Sequence, residues 1–98
     1  MKIRQFDGRN GAVRNQFLIE EKGEGWNGNF IKRTTFQSYE SVIASITLWP
    51  DRRDVVLDSN YWDYSTTTGK YRNIFLGEDK KTTQKKIESG EYKLENLN

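Results

Sequence analysis

Hydrophobic positions along this 98-residue chain fall in short clusters separated by polar and glycine-rich stretches. The opening segment, "MKIRQFDGRNGAVR", mixes charge with Gly8 and Gly11; it predicts a turn-rich entry with a short strand at Lys2–Phe6. Phe17, Leu18 and Ile19 form a compact apolar run within "NQFLIEE" that suits a strand. Gly23, Gly25 and Gly28 then crowd together, with Asn27-Gly28 as a turn dipeptide. The β-branched and aromatic run "FIKRTTFQSY" predicts a second strand pairing back on the first. In "SVIASITLW", Tyr39, Val42, Ile43, Ile46 and Trp49 stand at helical spacing, with Ser38 as a possible N-cap and Pro50 as a stop. The same segment is β-branched almost throughout, and "PDRRD" followed by "VVLD" resembles a hairpin loop returning into a matching strand. The strand reading is preferred.

After Asp58 the period changes. Ser65 suits the N-cap of a helix from Thr66 to Leu76, with Tyr71, Ile74 and Phe75 along its buried side and Gly77 as its stop. A second, more polar helix is expected from Asp79 or Thr82 to Gly90, with Ile87 as its one strong apolar residue. Tyr92, Leu94 and Leu97 are expected to pin the tail to the core. The resulting architecture is α+β: an antiparallel meander of about four strands, with room for a fifth, followed by two C-terminal helices. All 98 residues are expected to form one domain.

Composition sharpens this picture. Hydrophobic residues make up only 34% of the chain, and the 13% aromatic share is what supplies a core. The net charge is +2, with seven basic and five acidic side chains in residues 1–50 and nine of each in 51–98. Neither half is a polybasic arm. Cysteine and histidine are both missing, which removes disulfides, thiolate nucleophiles, the commonest zinc ligands and the usual base near neutral pH. The expectation is a non-enzymatic protein without a cofactor. No apolar run is long enough to cross a membrane and the N-terminus lacks a signal-like core, so the cytoplasm is the expected location and no membrane partner is expected.

Three features invite a chemical reading. The "TTTGK" of residues 66–70 suggests a phosphate loop, but the glycine expected five residues before Gly69 is Tyr64, and Tyr71 follows Lys70 where Ser or Thr is required. Asp51, Asp54, Asp58 and Asp63 cluster in sequence, yet hairpin-loop and turn positions account for them. The aromatics are more informative. Tyr61, Trp62 and Tyr64 cannot all point inward from one short connection, and Trp26 stands among loop glycines. Beside the basic residues Arg52, Arg53, Lys70 and Arg72, these rings could anchor a protein interface or stack a nucleobase. Against each reading stands a plain one, in which Trp62 caps the sheet, Tyr64 staples the helix and Trp26 folds back onto the core. The candidate partner-binding residues are Trp26, Arg52, Arg53, Tyr61, Trp62, Lys70 and Arg72. The paired basics Lys32-Arg33, Arg52-Arg53, Lys80-Lys81 and Lys85-Lys86 would serve phosphates only if several shared a face.

Residues 36–77 resemble a family of small uncharacterised proteins of bacteriophages and mobile elements in Gram-positive bacteria. The matching positions are Ser38, Tyr39, Ile43, Ala44, Leu57, Tyr64, Ser65, Thr67, Thr68, Phe75 and Leu76. Many such sequences place histidine after the basic residue of the helix, where this chain has Tyr71. The resemblance implies an anti-CRISPR or similar inhibitor that binds a host defence nuclease or effector and blocks it sterically. A nucleic-acid-binding accessory protein is the alternative.

Overall fold

The computed structural model describes residues 1–8, 11–26 and 28–98. Among them, six strands form one sheet in sequential order: β1 (Lys2–Gly8), β2 (Gly11–Lys22), β3 (Lys32–Ser38), β4 (Ser41–Leu48), β5 (Arg53–Asp58) and β6 (Lys93–Glu95). The first five run as an antiparallel meander, and β6 adds to β5 in parallel after two helices, α1 (Thr66–Leu76) and α2 (Lys80–Ser89). The α+β class and the two C-terminal helices are as the residue pattern predicts. The sheet is larger than expected, because β2 starts at Gly11 within the stretch read as a turn-rich entry and the tail supplies β6. Asn27 of the expected Asn27-Gly28 turn lies outside the described residues. "SVIASITLW" is a strand, as preferred.

Strand pairing sorts the side chains into two faces. Leu18, Phe36, Ala44 and Leu57 lie side by side in one cross-strand row, and all four are buried. The register shifts after Phe36: Phe36 pairs with Ala44 but Gln37 pairs with Val42, which leaves Ile43 as an extra residue. That bulge is why two sequence neighbours, Ile43 and Ala44, are both fully buried. The helices cover this face. Phe36 takes the edge of Phe6 at 5.2 Å between ring centres and packs on Phe75 of α1 at 5.7 Å, while Phe6 meets Tyr71 at 5.6 Å.

Both helices start and stop where their caps dictate. The Ser65 hydroxyl accepts the Thr68 amide and Asp79 accepts that of Thr82, while Gly77 and Gly90 end the helices in the left-handed region. The expected buried stripe of α1 needs correction. Ile74 is 58% exposed, and the fully covered positions are Thr68, Arg72 and Leu76. A hydrogen bond of 2.8 Å between the Thr68 and Ser38 hydroxyls turns the helix by this amount, leaving Tyr71 and Phe75 at the flank of the core. In the tail, Tyr92 is buried but Leu94 is exposed, so the expected anchor at Leu94 is also corrected. Its place is taken by hydrogen bonds: Leu97 N–H donates to Asp58 at 2.7 Å, and the Asn98 carboxamide pairs with both the N–H and the C=O of Val42.

Two predictions follow from these contacts. Burial alone would raise the pKa of Asp58, but hydrogen bonds from Leu97, Asn60, Asn98 and Tyr61 outweigh it and hold the carboxyl below its ordinary value. Asp63 and Glu78 are lowered in the same way, burial being outweighed by bonds from Lys80 and Arg72 in one case and from Thr83, Lys86 and Tyr92 in the other. A group whose pKa is lower folded than unfolded stabilises the fold above the unfolded value and loses that contribution as pH falls through the folded one. With no histidine to titrate between, urea midpoints should be flat from about pH 8 to about pH 5 and should fall steeply only below the ordinary carboxylate range of 3.8 to 4.5. The second concerns Tyr39, which sits at φ 55° in the two-residue turn between β3 and β4. Tyr39→Asn should raise stability by about 0.5–1 kcal/mol, since asparagine tolerates that conformation better than a ring-bearing residue. The shift in urea midpoint measures it.

Candidate functional site

The seven residues singled out by sequence divide between opposite ends of the sheet, separated by the length of β5, about 17 Å. Trp26, Arg52 and Arg53 lie at the end formed by the β2–β3 and β4–β5 loops. Tyr61, Trp62, Lys70 and Arg72 lie at the other, where β5 leads into α1.

At the first end, local turn chemistry places the side chains. Trp49-Pro50-Asp51-Arg52 is a tight turn closed by the Trp49 N–H donating to the Arg52 carbonyl at 2.7 Å, with Pro50 where a fixed φ is favoured. First and last residues of such a turn lie close together, and the Arg52 guanidinium rests 4.6 Å over the Trp49 ring. On the neighbouring loop, Gly23 and Gly25 donate to the carbonyls of Ile31 and Phe30. Gly23 has to be glycine, because a Cβ there would sit on the Phe30 carbonyl oxygen. This close approach sets the Phe30 and Trp49 rings edge-to-face at 6.3 Å, and the Arg33 guanidinium lies 4.4 Å over the Phe30 ring. Arg33, Phe30, Trp49 and Arg52 thus form one contiguous cluster, and Trp26 projects beside it at 62% exposure. A recess bounded by Gly25, Trp26, Gly28, Trp49 and Arg52 opens between the two indoles. Arg53 begins β5 with its side chain exposed. Acidic groups temper the charge here: Asp51 and Asp54 lie 3.2 and 3.4 Å from Arg52.

The second end is largely self-satisfied. Arg72 is 1% exposed, which corrects its place on an accessible rim. Its guanidinium donates to the Trp62 carbonyl at 2.7 Å, to Asp63 at 3.3 Å and to the Asn73 carboxamide at 3.0 Å, and it stacks over the half-buried Trp62 ring. Asp63 also takes Lys80 at 2.6 Å, so one carboxylate ties the connection to both helices. Trp62 covers the core, as the plain reading held. Tyr61 and Tyr64 remain at the surface in an edge-to-face pair 5.4 Å apart, and Lys70 leans over Tyr71. The clustered aspartates also separate: Asp58 and Asp63 are consumed by internal bonds, and Asp51 and Asp54 flank Arg52.

A family model matches residues 1–91 of this sequence, all but the last seven positions. The chain belongs to DUF8033, a family of unknown function. The DUF8033 match spans both loop clusters, β1 to β5 and both helices, and stops short of Tyr92 and the tail segment held by Asp58. No curated protein and no solved structure matches the chain.

Sequence reasoning passed over Phe30 and Trp49 at the first end and named Arg33 only as one of the paired basics. Trp49 directly before Pro50, with Arg three residues on, was the available signal for a turn that lays a cation on an indole. Nothing local marks the Phe30 contact, since it depends on how closely two loops approach. For Arg72 the expected outcome of substitution is structural. Arg72→Met leaves the Trp62 carbonyl and the Asn73 carboxamide oxygen without their donor and Asp63 with Lys80 alone, and should lower stability by about 3 kcal/mol; Arg72→Lys should recover only part of this because a lysine cannot reproduce the fork. Urea denaturation of the two variants measures both effects.

Proposed function

We propose that the chain is a non-enzymatic binding protein that docks a partner protein on the Trp26–Trp49–Arg52 end of its sheet and obstructs that partner sterically. The exposed Trp26 ring beside a stacked Trp–Arg pair is the observation that carries this reading. Tryptophan and arginine are the residues most enriched where interfaces concentrate their energy, and an exposed indole among polar loops is otherwise expensive to keep. Pre-stacking of Arg52 on Trp49 lowers the ordering cost of presenting both groups to a partner. The resemblance of residues 36–77 to phage and mobile-element proteins makes a defence nuclease or effector, in the cytoplasm of a host bacterium, the partner class to test first.

A protein partner is preferred over nucleic acid because the basic residues are interleaved with acids rather than gathered. Arg4 and Lys32 share Glu20, Arg52 lies between Asp51 and Asp54, Lys80 holds Asp63 and Lys86 holds Glu78. A phosphate backbone would meet these carboxylates along with the cations.

The test compares capture of host proteins from lysate on immobilised wild-type protein, Trp26→Ala, Arg52→Ala and, as a control at the opposite end, Tyr61→Ala. Trp26→Ala should weaken the affinity for the captured partner by about 30-fold, as expected for an anchor worth about 2 kcal/mol, with Tyr61→Ala unchanged. Equal recovery by wild type and Trp26→Ala would overturn the assignment of this end as the docking surface.

A further inference from the structure

The helices cover one face of the sheet. On the opposite face the strand pairing aligns Ile3, Ile19, Thr35, Ser45, Val56 and Lys93 in a single cross-strand row. A trough of about 400 Å³ lies over its β3–β5 portion, within the size range of small-ligand sites. Its two ends differ chemically. At one end stands Arg33, half-buried and fixed twice: its guanidinium is stacked on Phe30 at 4.4 Å, and its Nε donates to the Thr47 hydroxyl at 3.0 Å. Among the described residues no carboxylate lies within ion-pair distance of it, and its terminal nitrogens donate to no other side chain. The other end is walled by Val42 and Leu97, with Val56 in the middle row beside Ser45 and Leu97 brought there by the Asp58–Leu97 bond. Arg33 and the position opposite Val42 are four residues apart on β3, about 13 Å.

We infer that this trough is a binding site for a small aliphatic carboxylic acid, its carboxylate on Arg33 and its hydrocarbon body along Val42, Val56 and Leu97. A stacked and pinned guanidinium has lost its conformational freedom already, so a carboxylate can be met at little further entropic cost. The Ser45 and Thr47 hydroxyls, which accept from Thr35 at 3.5 Å and from Arg33 at 3.0 Å, have their own hydrogens to donate to a carboxylate oxygen near the charged end. A single negative charge fits better than a phosphate dianion, because Glu21 pairs opposite Arg33 and Asp54 opposite Thr47 in the same row. Glu95 at the far rim likewise disfavours a second anionic group and suits an uncharged tail. The site is separate from the recess beside Trp26, though the two meet through the Phe30–Arg33 stack.

Titration of the isotope-labelled full chain with sodium octanoate, followed by amide resonances, tests the site. Octanoate should move the signals of Thr35, Ser45 and Val56 in a saturable way. n-Octanol, which has the tail without the charge, and acetate, which has the charge without the tail, should each bind at least tenfold more weakly. Arg33→Gln should weaken octanoate by at least tenfold and leave octanol unaffected. Shifts confined to the helix-covered side, equal affinity for octanoate and octanol, or unchanged octanoate binding in Arg33→Gln would each overturn the inference. If Arg33→Gln fails to give a folded spectrum, the octanoate–octanol comparison on the wild-type chain decides the matter.

Discussion

The carboxylate of Asp58 is the point at which the separate parts of this fold are joined. It ends β5 with no exposed surface. One of its oxygens accepts the amides of Asn60 and Tyr61, which bends the chain out of the sheet toward α1, and the other accepts the Leu97 amide. A buried charge without partners would be severely destabilising, so the turn and the tail are bound to adopt the conformations that supply them. The same constraint explains the parallel β6. The chain must return from α2 to the C-terminal end of β5 for Leu97 to reach Asp58, and Lys93–Glu95 pair alongside β5 on the way.

Polar specification of this kind runs through the whole interior. Of the nine largest fully buried side chains, six are polar or charged: Arg72, Gln16, Thr68, Thr83, Asp58 and Ser38. A chain with 34% hydrophobic residues has few apolar groups to spend on orienting helices over a sheet. Here hydrogen bonds set the orientation instead. Ser38 to Thr68 fixes the rotation of α1, Arg72 to Asp63 fixes its distance from the preceding connection, and Glu78 gathers Thr83, Lys86 and Tyr92 beneath α2. The aromatic rings of Phe6, Phe36, Tyr71 and Phe75 then pack against one another between sheet and α1.

This division of labour sets what the sequence makes legible. Strand positions follow from β-branched runs, and helix limits from Ser65, Gly77 and Gly90, because these are local preferences that tertiary contacts had no reason to override. The buried face of α1 is not local. Its apolar spacing favours Tyr71, Ile74 and Phe75, while a hydroxyl pair thirty residues apart and a buried guanidinium favour Thr68 and Arg72. A threonine and an arginine read as surface on any hydrophobicity scale, so this outcome had no signal in the pattern. The exposure of Trp26 was one of two readings its surrounding glycines allowed, whereas Phe30 and Arg33 become neighbours of Trp49 only through the approach of two loops.

The internal network also decides which polar groups are left for binding. At the α1 end most of the strong donors and acceptors near Trp62 are spent: the terminal nitrogens of Arg72 on the connection and Asn73, Asp63 on two cations, Asp58 on four backbone and side-chain donors, with the buried Arg72 Nε the exception. A partner could engage that end only through the tyrosine pair and Lys70, or by breaking contacts that hold the helices. At the opposite end the fold's requirements stop at the two turns. Trp26 is exposed, Arg52 keeps an accessible outer face although its edge is held by Asp51 and Asp54, and among the described residues the terminal nitrogens of Arg33 donate to no side chain while its orientation is fixed by Phe30 and Thr47. Groups that are oriented yet chemically unspent are the ones able to bind at small entropic cost. In this chain they lie on the β2–β3 and β4–β5 loops and on the adjoining open face of the sheet, as far as the strands allow from the interactions that hold the fold together.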